Sequence, residues 1–583
     1  MNDPAMTGNR LGAWASFPGK QAAGTAPVHQ RGRAHEGHYR RPAERPFLAE
    51  ERADTTILIG GLTRKHETLL GAVFRRHGYN VVSLPDPTKR AFRVGKEYSS
   101  NGLCNPVYYT SGALILFLKD LEAGGKTREE IENDYVYLTL SDCGPCRLGM
   151  YESEYRQALR NAGFDGFRVI TTQLNRASKA GGGRPGLEFS MDQWFGLINA
   201  LIVGDILYQT AYRIRPYEAR RGDTDWVLAG CVKEIATYLE HRSYFELRDR
   251  LPSLLAAAVS QWPRLRKVMD AVGRFRHHYY EREYLSLLRA CGDRMKGIPV
   301  DQTRARPVVK IVGEFYSHLS ETDANYKMFE FLEEEGAEVF PGSVGGTLQY
   351  WFFKSRRDHL QRRGLNPPFP NARWYQFRKR WANGRAYYLK PLILLAVDRL
   401  SRRQYSRLSQ ALGGLAHPPT PQEQLAALTR FYYRPLTRGG EGNQEVAEGI
   451  YCTLHREAHM VLSLKPFGCM PSTQSDGVMS TISTHLDEML FASIETTGDG
   501  DINVYSRVQM VLADAQRKAS RELGDALAST GRSLGEVRDF LASEPGLCRS
   551  GFRFPRSGRF VSTAANYVLQ VGRIMDRKGK ERG

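Results

Sequence analysis

Short apolar strands that alternate with helical patterns constrain the fold of this 583-residue chain more than any other feature. Residues 56–61 form an apolar run that ends in a glycine pair, residues 65–77 carry helical spacing, and residues 79–84 form a second apolar run. Further strand patterns follow at 135–140 and 167–171, again separated by a helical stretch. Because parallel strands need a crossover helix between them, this alternation predicts a doubly wound parallel sheet.

The same alternation returns later in the chain, at residues 308–312, 337–340, 460–464 and 491–495. We therefore predict an α/β protein with two doubly wound parallel-sheet subdomains and helical insertions. The expected organisation is a disordered basic tail at 1–52, a first α/β subdomain at 53–192, a helical connector at 193–305, a second α/β subdomain at 306–347 plus 413–518, a helical insertion at 348–412, and a C-terminal helical region and tail at 519–583.

Composition and charge narrow the class of protein. No apolar stretch reaches the roughly 18 residues that a membrane span needs, and the N-terminus lacks a signal-peptide core, so we expect a cytoplasmic protein without a membrane partner. The net charge of +19 favours anionic partners such as nucleotides, coenzyme A phosphates or an acidic protein. A general surplus of surface arginines explains the charge equally well. A nucleic-acid partner is disfavoured because no basic run resembles a DNA-reading helix.

Four of the eight cysteines lie where a metal centre would need them. Cys143 and Cys146 form a C-G-P-C pair after the strand pattern at 135–140, Cys104 lies upstream, and Cys469 follows the strand pattern at 460–464. Each is close to a Pro or Gly and next to an expected strand end or helix start. Thiolates on such turns can converge on one soft-metal site. The remaining four, Cys231, Cys291, Cys452 and Cys548, are interpreted as structural.

The C-G-P-C pair is open to several interpretations. A thioredoxin-like site is disfavoured by the length of the chain, and a zinc ribbon by the lack of a second CxxC about 15–20 residues later. An iron–sulfur site needs its other ligands to be near only in space, so distant cysteines could complete it. A pair of buried small residues remains the alternative without a metal.

Several segments resemble the 2-hydroxyacyl-CoA dehydratase superfamily. They are D-C-G-P-C-R-L-G at 142–149, R-P-Y-E at 215–218, V-G-E-F-Y at 312–316, K-P-F-G-C-M-P at 465–471, T-G-D-G-D at 497–501 and S-R-V-Q-M at 506–510. The match covers about residues 55–518 and is nearest to the large dehydratase-activase-related proteins, in their region outside the ATPase module.

The resemblance implies an oxygen-sensitive iron–sulfur protein, with a cluster that we expect to be of the 4Fe-4S type. Carried over to this chain, it makes Cys104, Cys143, Cys146 and Cys469 the cluster ligands. It also implies a partner activase that hydrolyses ATP and passes a low-potential electron to the cluster, and a CoA ester as the ligand that receives it.

The chain departs from the fused activases because it contains neither a sugar-kinase-type ATPase module nor a G-x-x-x-x-G-K-[ST] loop. We therefore expect no ATP hydrolysis by the chain itself. Three functions stay open: a redox enzyme, either a dehydratase-like lyase or a component of a CoA-thioester reductase; a non-catalytic cluster carrier or electron relay; and a basic, zinc-stabilised nucleic-acid-binding protein.

Overall fold

The computed structural model describes residues 44–140, 146–171, 184–246, 262–363, 365, 367–437, 439–498 and 500–582. Residues Arg45–Gly583 form one compact unit. Within the described residues, no helix combines the length and the apolar character that crossing a membrane requires.

The first sheet is built from four parallel strands in the order β2-β1-β3-β4. The strands are β1 (Thr56–Ile59), β2 (Asn80–Ser83), β3 (Tyr135–Thr139) and β4 (Arg168–Thr171). The helices that connect and cover them are α1 (Arg64–Arg76), α2 (Lys89–Tyr98), α3 (Asn105–Ala123), α4 (Arg128–Asp134) and α5 (Tyr151–Asn161). The last three residues of β1 are buried because helices cover both faces of the sheet.

The second sheet repeats this topology, with the order β6-β5-β7-β8 and parallel pairing throughout. Its strands are β5 (Val308–Gly313), β6 (Glu338–Phe340), β7 (Met460–Pro466) and β8 (Leu490–Thr496). In both sheets the second strand lies on one side of the first strand, and the third strand lies on the opposite side of the first strand. The two-sheet α/β fold expected from the sequence is thereby confirmed. Doubly wound sheets bind ligands where the winding reverses, between the carboxyl ends of the first and third strands.

Helices fill the rest of the chain. Those that precede β7 are α6 (Met191–Ile214), α7 (Asp223–His241), α8 (Pro263–Tyr280), α9 (Arg282–Lys296), α10 (Phe315–Leu319), α11 (Met328–Glu334), α12 (Val344–Gln361), α13 (Phe377–Ala411), α14 (Gln422–Thr429) and α15 (Gly442–Leu454). Those that follow it are α16 (Met470–His485), α17 (Asp501–Thr530), α18 (Leu534–Ala542) and α19 (Thr563–Arg582).

The helical insertion expected at 348–412 consists of two helices, α12 and α13, joined by residues 362–376. The compact unit begins earlier than residue 53. Phe47 is buried in the core of the first sheet, and Glu51 pairs with Arg168 at 3.2 Å. These contacts tie the residues just before β1 to the end of the sheet at which its strands begin.

Candidate functional site

The three described candidate cysteines each stand immediately before a helix. Cys104 precedes α3, Cys469 precedes α16, and Cys146 precedes a 3-10 turn, Arg147–Met150, that runs into α5. Both α3 and α16 carry a proline in their first turn, where its missing N–H costs nothing. Helix starts present unpaired N–H groups and a positive dipole end, which favour a thiolate. The fourth candidate, Cys143, lies outside the described residues.

The turns that carry these cysteines lie against one another. A Cβ atom added to Gly468 would stand 3.3 Å from the Leu103 carbonyl oxygen, 3.7 Å from the Cys104 Cα and 3.7 Å from Arg147 Nη1. The φ of Gly468 is +77°, in the left-handed region that glycine alone adopts readily. Arg147 also donates a hydrogen bond to the Gly102 carbonyl. Gly468 therefore lets the Cys469 turn approach both the Cys104 turn and the Cys146 turn.

This meeting point is at the carboxyl ends of both sheets. Cys146 follows β3, and Cys469 follows β7, so each comes after the third strand of its own sheet. Asn105 of the first part donates to the Thr496 carbonyl at the end of β8, and Phe467 N donates to the same oxygen at 3.0 Å. The cysteines thus occupy the place where doubly wound folds bind ligands.

Burial governs the electrostatics of the thiols. Desolvation raises the pKa of Cys104 to about 11, although a 2.9 Å contact with the Tyr151 hydroxyl partly offsets the rise. Desolvation also raises the pKa of Cys146 to about 12 and moves that of Cys469 further upward. The charge of the Glu314 carboxylate raises the pKa of all three. The thiols are therefore neutral at neutral pH, and a cation bound among them would reverse this preference.

Two half-buried carboxyl groups lie beside the cysteines. Glu314 follows β5 and accepts hydrogen bonds from Tyr316 N at 3.1 Å and Ser317 N at 3.0 Å. Glu441 precedes α15 and accepts from Phe315 N at 2.7 Å. Burial and the charge of Glu314 raise the pKa of Glu441 to about 7. Sequence reasoning had found Glu314 within G-E-F-Y but missed Glu441, whose only signal is the glycine-rich turn that contains it.

The donor chemistry of the site fits a soft-metal cluster. Among the described residues, no group of three or more His, Cys, Asp or Glu side chains is arranged to hold a metal ion. Cys143 is not among these residues. A cluster also spreads its cysteine ligands over several irons, so the sulfurs stand further apart than around a single zinc ion. One buried thiol, Cys104, and two half-buried ones, Cys146 and Cys469, stand at helix starts within contacting turns from both sheets, and this arrangement suits such a cluster.

A narrow pocket opens between the two α/β parts near the same strand ends. It is lined by Gly60 and Gly61 after β1, by Glu67 and Tyr137, and by Tyr316 and Ser320 from the second part. The Tyr316 hydroxyl is buried and has no hydrogen-bond partner among the described residues. None of the described lining residues is a Lys or Arg. The pocket therefore offers hydroxyl and carboxyl groups rather than the cations that coenzyme A phosphates need.

A row of buried tyrosines joins this pocket to Cys104. Tyr151, whose hydroxyl contacts the Cys104 thiol, has its ring centre 6.0 Å from that of Tyr155. The Tyr155 ring centre is 5.1 Å from that of Tyr137, which lines the pocket. The pocket and the cysteine site are thus neighbours within one aromatic core cluster.

The cysteines interpreted as structural lie elsewhere. Cys231 on α7 donates to the Cys291 carbonyl on α9 at 3.8 Å, and both side chains are fully buried. Cys452 is buried near the end of α15, and Cys548 donates to the Leu541 carbonyl at 3.7 Å.

No protein-family model matches the chain, and no curated protein matches it. The resemblance to the dehydratase superfamily therefore stays a hypothesis.

Proposed function

We propose that this chain is an iron–sulfur redox protein of the 2-hydroxyacyl-CoA dehydratase type. In this proposal it accepts low-potential electrons from a separate ATP-hydrolysing activase in the cytoplasm and delivers them to a CoA thioester. One observation carries the proposal: cysteine-bearing turns from both α/β parts contact one another at the carboxyl ends of the sheets, around Gly468.

Each residue of the site has a role in this proposal. Cys104, Cys143, Cys146 and Cys469 would hold the cluster, which supplies one-electron transfer when bound. The starts of α3 and α16 would offer N–H groups and positive dipole ends to its negative charge. Cys104 is buried and Cys146 and Cys469 are half-buried, so the protein would limit the access of water to the sulfurs. Exposure to solvent is one of the factors that set such potentials.

A second function, electron relay without substrate turnover, is favoured by the pocket. Its described lining has no cation for the phosphates of coenzyme A, so a CoA ester would need to bind these groups outside it. Turnover of a CoA ester by the cluster-loaded protein supports the enzyme. Oxidation and reduction of the cluster with no change in any CoA ester supports the relay.

The test begins with protein purified without oxygen. We expect stoichiometric iron and sulfide and a broad thiolate-to-iron absorption band. Cys146→Ser should lose the band, whereas Cys231→Ser, the same substitution at a fully buried cysteine outside the site, should retain it. The isolated chain should not hydrolyse ATP, and the activase with ATP and a reductant should change the electron paramagnetic resonance signal. Stoichiometric zinc without iron, or ATP hydrolysis by the chain alone, would overturn the proposal.

A further inference from the structure

The positive charge of the chain is concentrated in one structural element. Helices α12 and α13 with their connection, residues 344–411, hold fifteen Lys and Arg against two Asp and Glu, a net charge of +13. The tails at 1–50 and 571–583 add +3 each, and all other residues together are neutral. We call residues 344–411 the basic hairpin. A general arginine surplus would spread over the surface, so this distribution argues against it.

The basic hairpin extends away from the rest of the protein. Arg363 Nη1 donates to the Tyr388 hydroxyl at 3.0 Å, and Asn383 Nδ2 donates to the Phe369 carbonyl at 3.0 Å, so the two helices run antiparallel. The hairpin enters cores at its base, where Val344 at the start of α12 and Leu408 in the second half of α13 are buried. No residue from Phe377 to Lys390 is buried, although all of them are described.

Large apolar side chains are exposed along this arm. Trp374 is 74% exposed, Phe377 72% and Trp381 67%. On α13 the spacing of Phe377, Trp381, Tyr388 and Leu392 places them on one helical face. Further exposed apolar residues are Leu365, Phe369, Tyr375, Leu389 and Ile393. The only acidic residues of the hairpin, Asp358 and Asp398, pair with Arg362 and Arg402, and Arg356 pairs with Glu423 of α14. The six basic residues between 373 and 390 are all exposed, so they are available to a partner.

We propose that the basic hairpin docks on an anionic lipid surface. Its composition is that of a helix that lies in the headgroup region, with Trp, Phe and Leu on one side and Arg and Lys around them. Each basic residue near an anionic surface contributes about 1 kcal/mol of attraction. Such docking does not need the length or hydropathy of a spanning helix.

Other occupants fit the hairpin less well. A second copy of the chain would bring together two arms of +13 each, and like charges repel. A nucleic acid can stack on Trp and Tyr, but it has no apolar surface for Leu365, Leu389, Leu392 and Ile393. A bilayer accepts both the aliphatic and the aromatic side chains, and it needs no groove on the protein.

The first experiment measures co-sedimentation of the full chain with two kinds of vesicle. We expect binding to phosphatidylcholine mixed with phosphatidylglycerol, little binding to phosphatidylcholine alone, and weakening by salt. Arg378→Gln and Arg385→Gln should each reduce the affinity about fivefold, whereas Arg289→Gln, at an exposed position on α9, should not. Absence of binding to anionic vesicles at low ionic strength would overturn the proposal.

The second experiment tests the apolar anchors. Phe377→Ser combined with Trp381→Ser should abolish most vesicle binding, while Trp226→Ser, which removes a tryptophan that is 80% exposed on α7, should leave it unchanged. Lipids with brominated acyl chains should quench the fluorescence of Trp374 and Trp381. Equal losses in the control variant would overturn the assignment to the hairpin. If the chain bound poly-glutamate or a single-stranded oligonucleotide but no vesicles, the lipid proposal would be wrong, and the partner would be an acidic protein or a nucleic acid.

Discussion

Replacement of Glu67 by glutamine should stabilise the protein at pH 8 much more than at pH 5. Glu67 lies in the first turn of α1 and lines the pocket between the two α/β parts. Burial raises its pKa from 4.5 to about 7. The N–H of Leu62, at 3.2 Å, and the guanidinium of Arg64, at 3.6 Å, oppose the rise without cancelling it, and the charge of Asp86 adds to it.

The direction of this pH dependence follows from the number of protons that the folded and unfolded states bind. Between pH 4.5 and 7 the folded protein holds the Glu67 proton while the unfolded chain releases it. The free energy of unfolding therefore falls as the pH rises through this window. The raised pKa of Glu67 lowers the free energy of unfolding by about 1 kcal/mol at pH 5 and by about 3 kcal/mol at pH 8, since a pKa difference of one corresponds to about 1.4 kcal/mol. Glutamine stays neutral and can still accept from Leu62 N, so it removes about 2.5 kcal/mol of pH dependence.

Thermal unfolding followed by circular dichroism at both pH values provides the assay. If the whole compact unit unfolds cooperatively, 2.5 kcal/mol corresponds to a change of about 2 °C in Tm. The change is larger if the first α/β part unfolds separately, because a smaller unit has a smaller unfolding entropy. Glu97→Gln, at an exposed position on α2, is the matched control and should show the same Tm difference at both pH values. An equal effect of Glu67→Gln at pH 5 and pH 8, or a loss of stability at pH 8, would refute the reasoning.

Two further predictions follow from the structure. Gly468→Ala should lower Tm and the iron content, because the left-handed φ costs about 1–2 kcal/mol and the new Cβ meets the Cys104 turn. As a control, Gly477→Ala, in open space on α16, should raise Tm slightly. An unchanged Tm for Gly468→Ala would contradict the close approach of the two turns. A chain that begins at Arg45 should unfold at the same temperature as the full chain. A chain that begins at Ala53 should unfold at a lower temperature, because it loses the burial of Phe47, which is worth about 3–5 kcal/mol. Equal unfolding temperatures for the two truncations would argue against this contact.

The strands of both sheets could be predicted from the sequence because their apolar residues are continuous. Residues 308–312 and 460–464 were expected as strands and lie within β5 and β7. Strands buried on both faces of a parallel sheet need such runs. The start of α3 is harder to predict, because clear helical spacing begins only near residue 111, whereas α3 begins at Asn105. The proline at 106, which suits a first helical turn, was the available signal.

The basic hairpin shows where pattern and structure separate. Its charge can be counted from residues 344–411 alone, whereas the sequence pattern predicted a helical insertion at 348–412 without showing where it divides into two helices. Exposure was not visible in the sequence, since the spacing of Phe377, Trp381 and Leu392 is equally typical of a buried helical face. Whether a neighbouring element covers that face depends on contacts between distant parts of the chain.

The sequence by itself determined the two parallel sheets and the position of Cys146 and Cys469 after strands, because strand and helix periodicities are local properties of the chain. Only the packing of the two sheets brings the Cys104 turn against the Cys469 turn across Gly468 and places the half-buried Glu441 beside them. Those distances depend on how the two sheets pack with their carboxyl ends towards the same place. That packing is set by burial summed over hundreds of residues, and no single motif encodes it.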